Sequence, residues 1–344
     1  MTLRRLAAVD AQTYWMSAAI PNDEFLVYGF AGETGDLGEV QEVIRRRAQT
    51  STELSLRIAD TGARTYPVWE PCEVAADRFV VHRLADPTWA GCLAAAAALI
   101  DDQLDPRLQT WRLHLFPGVE GVPGTGAGTV AVLQISHALG DGNRCASLAA
   151  HLFGRPGDVP TVPPPPPRGL ATFVRRSFSA ALAHRRLVRD TDAGLVPAQA
   201  LSRPALRSNA KPSGQRQVRS LIRRRDQLPG PTVTTGVMAA ISVALAGHLR
   251  ELGDHPSRLG AEVPMAKTGP RRANNHFGNV TVGLYPELAA GPRAQAIAAE
   301  LYQRRRRASH PAMAADSAVF AAMPAAVLRW GVEQFDPDVR SDTV

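Results

Sequence analysis

A run of five prolines, Pro163–Pro167, is the feature that most constrains how this 344-residue chain can fold. Proline lacks a backbone N–H and fixes φ, so no helix or inner strand continues through such a run. Pro156 and Pro160 precede it, and the whole stretch favours an extended, semi-rigid connector. The chain is also longer than a single hydrophobic core usually organises. The sequence therefore predicts two domains joined by a proline-rich linker.

We place the N-terminal domain at residues 1–155, the linker at 156–214 and the C-terminal domain at 215–344. Within the linker, Phe173 to Arg189 has the pattern of a basic helix. In the C-terminal domain, Thr232 is a suitable N-cap for a long helix that ends near Leu252.

Short apolar segments alternate with helical patterns, which is typical of an α/β protein. The predicted strands are Phe25–Phe30, Tyr66–Trp69, Phe79–Leu84, Trp111–Phe116, Thr129–Ser136, Leu259–Val263 and Asn279–Leu284. The other predicted helices are Gly35–Ala48, Pro87–Gln103, Gly142–Phe153, Arg293–Arg307 and Ser317–Gln334.

Composition narrows the class of protein without selecting a function. Hydrophobic residues make up 45% and charged residues 21%, which is ordinary for a globular protein and excludes wholesale disorder. The net charge of +7 suits anionic lipid or phosphorylated small molecules such as coenzyme A, whereas no nucleic-acid module accompanies the arginine clusters. Cys72, Cys92 and Cys145 lack the spacing of a disulfide framework or a metal site. With neither a signal peptide nor a transmembrane anchor recognised, we expect a cytoplasmic protein.

The most informative segment runs from Thr129 to Gly142, where an apolar strand leads to His137 and a tight turn follows it. A neutral imidazole can take a proton from an alcohol near pH 7, so a histidine at a strand end suits a general base. Asp141 is expected to hold the turn, through backbone N–H bonds or an arginine, and Gly142 to allow close backbone approach. The alternative is a core histidine beside an ordinary Asp-Gly turn, and the pattern alone does not exclude it.

The segment His137–Gly142 resembles the HxxxDG active-site motif of the coenzyme-A-dependent acyltransferase superfamily. Within that superfamily, the chain most resembles the actinobacterial wax ester synthase/diacylglycerol acyltransferase family. The other matching segments, in the family's order, are Leu6–Ala11, Asp105–Gly118, Thr232–Leu249, Val263–Pro264 and Phe277–Val280.

Several positions depart from the family pattern. The family's paired histidines appear as Ser136 and His137, and its Pro-Leu-Trp appears as Gln109-Thr110-Trp111. The Asn-Asp pair early in the second-domain helix is replaced by Thr234-Thr235. The arginine expected soon after Val263-Pro264 is absent from its usual place, which leaves Lys267, Arg271 and Arg272 as candidate partners for Asp141.

The resemblance implies a fold of two α/β domains, the chloramphenicol acetyltransferase-like sandwich, facing each other across a channel. Family members continue past the position of Val344, so we expect an incomplete second domain that needs a homodimer partner or a completing polypeptide for its open sheet edge.

The function implied is transfer of a fatty acyl group from acyl-CoA to diacylglycerol or a long-chain alcohol, giving triacylglycerol or wax ester. His137 would be the general base, with Asp141 and Gly142 in support, and Ser136, Trp111 and Asn279 would contact substrate. Acyl-CoA would be a co-substrate, and neither a permanently bound cofactor nor a metal is expected.

The sequence leaves open a membrane partner and two alternatives to the proposed enzyme. The arginine clusters favour peripheral contact with an anionic membrane or lipid droplet. The eroded motifs also fit a catalytically impaired homologue that binds acyl-CoA or lipid without turnover, and other superfamily members transfer acyl groups to carrier-bound intermediates.

Overall fold

The structure is a computed structural model that describes residues 4–32, 35–165, 169–210 and 214–334. Pro166, Pro167, Pro212 and the chain end at Val344 lie outside the described residues. The strands are β1 (Arg4–Arg5), β2 (Glu24–Ala31), β3 (Leu56–Ala59), β4 (Val68–Pro71), β5 (Phe79–Val81), β6 (Trp111–Val122), β7 (Gly126–Ile135), β8 (Gly260–Ala266) and β9 (Phe277–Gly283). The helices are α1 (Ala8–Met16), α2 (Leu37–Thr50), α3 (Trp89–Ala98), α4 (Gly142–Leu152), α5 (Leu170–Asp192), α6 (Val233–Glu251), α7 (Ala290–Ala308), α8 (Pro311–Ala322) and α9 (Ala325–Glu333).

A four-stranded sheet in the order β2-β7-β6-β5 carries the first half of the chain, beside a three-stranded sheet in the order β1-β4-β3. Strand β7 pairs antiparallel with β2 on one side and with β6 on the other. Leu133 and Ile135 of β7 enter the core beneath α1, α2 and α4, while Val130 and Val132 enter the core beneath α3. The strand is apolar nearly throughout because both of its faces are covered.

The second half of the chain builds a smaller layered unit. Strands β8 and β9 form an antiparallel pair in which Val263 lies opposite Val280. Helices α6 and α7 pack over this pair, and the shared core contains Leu249, Val282 and Ile297. The expected mixed α/β architecture is confirmed.

The predicted helix Ser317–Gln334 is wrong in one respect, because the segment forms two helices. Helices α8 and α9 are bent by 98° relative to each other. The break falls at Pro324, which lacks an N–H and serves as the N-cap residue of α9. Three elements of the structure, α1, β1 and β3, were not predicted from the sequence.

Helices α8 and α9 pack against the core beneath α1, α2 and α4, although they lie in the predicted C-terminal domain. Ala325, Leu328 and Val332 of α9 belong to the same core cluster as Leu133 and Ile135 of β7. Tyr66 Oη also donates to the backbone oxygen of Met323, with a separation of 2.8 Å. The division at residue 215 therefore stays a prediction. The structure adds that two helices from the predicted C-terminal domain pack against the core of the N-terminal half.

Thr232 caps α6 as predicted, its hydroxyl accepting from the Thr235 N–H at 3.2 Å. Thr235 occupies a position where the resembled family has a polar pair, and here its hydroxyl takes part in the reciprocal cap. Among the described helices, α6 is also long and apolar enough to span a membrane by length and composition, with 39% of the tested window buried. The core helices of globular proteins can meet the same criteria, and α6 packs on the core that contains Val282 and Ile297.

A chain of four polar side chains, of which His114 and Gln134 are buried and His82 and Asp23 half-buried, crosses the four-stranded sheet. His82 Nε2 lies 2.9 Å from His114 Nδ1, and His114 Nε2 lies 3.0 Å from Gln134 Oε1. Gln134 in turn donates to Asp23 Oδ2 at 2.7 Å. Burial lowers the pKa of His114 from 6.5 to about 4, with the hydrogen bond to Gln134 opposing the shift.

We expect His114→Gln to reduce the loss of stability on acidification. Between pH 6.5 and about 4 the unfolded chain takes up a proton on His114 that the folded chain does not. This one group therefore lowers the free energy of unfolding by roughly 3 kcal/mol as pH falls through that window. Glutamine can keep a hydrogen bond to Gln134 without titrating. Urea unfolding at several pH values measures the effect.

The control is His184→Gln, because His184 is exposed on α5. Its stability should follow that of the unmodified chain at every pH. Burial raises the pKa of Asp10 to about 6, which acts in the opposite sense, but Asp10 is present in all three proteins and cancels in the comparison. Parallel pH curves for the unmodified chain and His114→Gln would contradict the prediction.

Candidate active site at the end of β7

His137 lies just beyond the C-terminal end of β7, in a tight turn that leads into α4. The Ser136 N–H donates to Thr110 O at 2.8 Å, and the Leu139 N–H donates back to Ser136 O at 2.8 Å. These bonds fix the turn directly against the neighbouring strand. A rigid strand end therefore determines the position of the imidazole.

The His137 ring is accessible and has a defined hydrogen-bond geometry. Its side chain is 24% exposed, and the ring stacks on Phe277 with centroids 5.9 Å apart. Nδ1 lies 2.9 Å from Gly140 O, and a carbonyl oxygen only accepts, so Nδ1 must carry the proton. In the neutral ring, Nε2 then carries the lone pair that a general base requires.

Asp141 is the N-cap residue of α4, where its Oδ1 accepts from the Arg144 N–H at 3.1 Å. Arg271 binds the same carboxylate through both terminal nitrogens, at 2.8 Å and 3.2 Å. The His276 N–H donates to Oδ2 at 2.8 Å. Burial alone would raise the pKa of Asp141, but the hydrogen bonds from Arg271, His276 and Arg144 together lower it. These contacts make Asp141 a structural anion that is not set up to transfer protons.

Of the three basic residues considered as partners for Asp141, the structure selects Arg271. Arg272 is exposed, and burial lowers the pKa of Lys267. The paired groups are largely shielded from solvent, since the Arg271 and Asp141 side chains are 15% and 10% exposed. A bidentate pair of this kind fixes orientation as well as charge.

The connection between β8 and β9 also holds the backbone on either side of the imidazole. Asn275 Nδ2 donates to His137 O at 2.8 Å, and Asn274 Nδ2 donates to Ala138 O at 3.2 Å. Buried Asp10 of α1 accepts from the backbone N–H groups of Asn274 and Asn275, at 3.0 Å and 2.9 Å. Three distant segments of the chain therefore meet at the turn.

Sequence reasoning did not assign Asp10, Asn274 or Asn275 to the site. Asp10 lies in the Leu6–Ala11 segment that carries the family resemblance, and an aspartate within an otherwise apolar stretch was the available signal. The two asparagines precede Phe277, and nothing in their spacing indicated which strand end they would contact.

The close approach predicted at Gly142 is wrong. A side chain added at Gly142 would meet nothing within 4 Å. The crowded glycine is Gly140, where an added Cβ would lie 3.0 Å from the aliphatic carbons of Arg144. Arg144 fills that space because its guanidinium crosses the turn to reach Glu53 at 2.6 Å.

The residues predicted to contact substrate have different surroundings. Trp111 is fully buried and its indole donates to Leu54 O at 2.8 Å, so the structure does not bring it to the accessible side of His137. Ser136 is buried beside the turn, and Asn279 is exposed on β9 opposite Pro264. Substrate contact by Ser136 or Asn279 stays a prediction.

No protein-family model matches this chain, and no curated protein matches it in sequence. Its fold, however, is found among solved structures. The wax ester synthase/diacylglycerol acyltransferase of Marinobacter aquaeolei VT8 is 17% identical, with a TM-score of 0.54 over 92% of this chain and 76% of that one.

Two condensation domains have a similar fold. The starter condensation domain of rhizomide synthetase, in a mutant form complexed with C8-CoA, is 16% identical, with a TM-score of 0.55 over 92% of this chain and 74% of that one. The first condensation domain of the calcium-dependent antibiotic synthetase, complexed with a substrate analogue, is 14% identical, with a TM-score of 0.51 over 90% and 75%. The expected α/β fold is therefore confirmed, because the chain shares it with the wax ester synthase and condensation-domain structures.

We expect Arg271→Met to lower the free energy of unfolding by about 3 kcal/mol, because it leaves the Asp141 carboxylate buried without its partner. Combining it with Asp141→Asn should cost less than the sum of the two single changes, since the pair is coupled. Urea unfolding of the four proteins measures the coupling.

The matched control is Arg272→Met at the adjacent exposed arginine, which should change the free energy of unfolding by no more than about 0.5 kcal/mol. Equal effects at positions 271 and 272 would mean that the pair contributes no stability.

Proposed function

We propose that this chain is an acyl-CoA-dependent O-acyltransferase in which His137 is the general base. The observation that carries the proposal is the accessible imidazole whose Nδ1 is committed to Gly140 O, so that in the neutral ring the lone pair lies on Nε2. The shared fold supports the reaction class, although a fold by itself does not define a reaction.

In the proposed reaction, Nε2 of His137 takes the hydroxyl proton of an alcohol as its oxygen attacks the thioester carbonyl carbon. The tetrahedral oxyanion then collapses, the carbon–sulfur bond breaks, and the coenzyme A thiolate takes the proton back from Nε2. The products are an ester and free coenzyme A, so protons balance and the imidazole is regenerated. Fatty acyl-CoA and a lipid alcohol, either diacylglycerol or a long-chain alcohol, are the proposed substrates.

We expect His137→Ala to reduce thiol release from acyl-CoA in the presence of a lipid alcohol by at least about 100-fold, since a general base contributes this much or more. A thiol-reactive dye measures release across short and long acyl-CoA donors, with diacylglycerol, monoacylglycerol, glycerol and fatty alcohols as acceptors. The control is His248→Ala, because His248 is exposed on α6 and its loss should leave the rate unchanged. Unchanged turnover in His137→Ala would exclude this residue as the base.

The second candidate is a homologue that binds acyl-CoA or lipid without turnover. Ser136 favours it, because a serine replaces the first of the family's two histidines and leaves a single imidazole at the turn. Binding of acyl-CoA without thiol release by the unmodified chain, with an active wax ester synthase as positive control, would select this candidate over the enzyme.

We also propose that α5 makes peripheral contact with an anionic lipid surface. Four apolar side chains spaced four residues apart form one stripe along its exposed side. Their exposed fractions are 72% for Leu170, 57% for Val174, 68% for Phe178 and 50% for Leu182. Exposed arginines accompany the stripe at positions 175, 185, 186 and 189. A helix with an apolar stripe and a basic remainder suits the boundary of a negatively charged membrane or lipid droplet.

We expect the chain to float with vesicles containing phosphatidylglycerol at low salt and to be released in part at high salt. Phe178→Glu should reduce flotation by about tenfold, because it places a charge within the apolar stripe. Val327→Glu is the control, since Val327 is similarly exposed on α9. Equal flotation of the two variants, or no flotation of the unmodified chain, would contradict a lipid contact through α5.

A further inference from the structure

A second acceptor lies against the same nitrogen of His137. The carboxylate of Glu24 has its Oε1 3.2 Å from His137 Nδ1, while Gly140 O lies 2.9 Å from that nitrogen. Neither acceptor can supply a hydrogen when Glu24 is ionised, so both favour a proton on Nδ1. The Glu24 side chain is 22% exposed, which limits screening by solvent.

The sheet itself places Glu24 there. Glu24 begins β2 and lies opposite Ile135, the last residue of β7, two residues before His137. The preceding residue, Asp23, accepts from the Leu104 N–H at 2.8 Å and from Gln134 Nε2 at 2.7 Å. The start of β2 is therefore anchored both by its pairing with β7 and by the Asp23 carboxylate, which fixes the backbone that carries Glu24.

The charged and titratable groups around this contact come from several elements. Burial raises the pKa of Glu24, while the attraction of His137 and a hydrogen bond from the Cys145 thiol of α4 lower it in part. Asp141 raises it, although Arg271 occupies that carboxylate. Because the attraction between Glu24 and His137 acts on both groups, a proton gained by the imidazole strengthens the carboxylate form of its neighbour.

We propose that Glu24 is a positioning residue for His137. Its carboxylate holds the proton on Nδ1, keeps the ring oriented with Nε2 toward the accessible side, and stabilises the imidazolium that forms when Nε2 accepts a hydroxyl proton. The role is that of the carboxylate that orients and stabilises the histidine in a catalytic triad. It rests on the proposed function for its catalytic consequence, but the contact itself is independent of turnover.

The first measurement needs no activity. Proton NMR of the full chain should show a low-field Nδ1 proton, assigned by its disappearance in His137→Ala. In Glu24→Gln this resonance should move upfield, because a charged acceptor beside Nδ1 becomes a neutral one. Glu39→Gln removes an exposed carboxylate on α2 and should leave it unchanged. An unchanged resonance in Glu24→Gln would overturn the proposal whatever the activity.

The second measurement separates positioning from folding. Glu24→Gln should lower kcat by roughly 10-fold to 100-fold, less than the loss of the base itself, with KM changed by no more than about twofold. Glu24→Asp keeps the charge and should recover part of kcat.

The two proposals fail in different ways. A shifted Nδ1 resonance in Glu24→Gln, together with no thiol release by the unmodified chain, would support the contact between Glu24 and His137 and would contradict the proposed acyltransferase activity. Full activity in Glu24→Gln, or a loss confined to KM, would overturn the positioning role while leaving His137 as the base.

Discussion

The anchoring of one carboxylate, that of Asp141, is the constraint on which the candidate site depends. It accepts the N–H of Arg144 in the first turn of α4, binds the guanidinium of Arg271 and accepts a backbone N–H from the β8–β9 connection. A carboxylate with this many donors stays ionised and immobile. These bonds therefore hold the turn between β7 and α4, and with it the backbone that carries the imidazole.

That anchoring joins the two halves of the molecule at the site. The first half supplies the strand, the turn and His137, whereas the second half supplies Arg271, Asn274 and Asn275, which bind the turn from the other side. Asp10, near the N-terminus, binds the asparagine backbone in turn. The smaller second unit therefore contributes the restraints on the histidine backbone, and its packing bears directly on the chemistry proposed for the first.

The capacity of His137 to act as a base depends on two acceptors, Gly140 O and the Glu24 carboxylate, that lie beside its Nδ1. A backbone carbonyl and a carboxylate both face Nδ1, so the lone pair of the neutral ring lies on Nε2. Phe277 lies nearly parallel to the ring, with the two centroids 5.9 Å apart. This arrangement suits proton transfer from a hydroxyl group and recurs on unrelated folds wherever a histidine must act as a base.

The sequence by itself determined most strands and helices, the mixed α/β class and the position of His137 at a strand end. These are local properties, because periodicity, proline positions and capping residues act over a few neighbouring residues. Even the break missed within residues 317–334 had a local signal in Pro324. The resemblance carried by the His137–Gly142 motif also anticipated a salt bridge to Asp141, within a choice of three basic residues.

Only the tertiary structure decided which residues meet. Arg271 lies 130 positions from Asp141, and Glu24 lies more than a hundred from His137, so their contacts depend on strand register and on how the β8–β9 connection packs. The same reason explains why α8 and α9 join the first core, and why Trp111 is a core residue although its motif indicated substrate contact. Side-chain chemistry is readable along the chain, whereas proximity between distant segments arises from the summed packing of the whole fold.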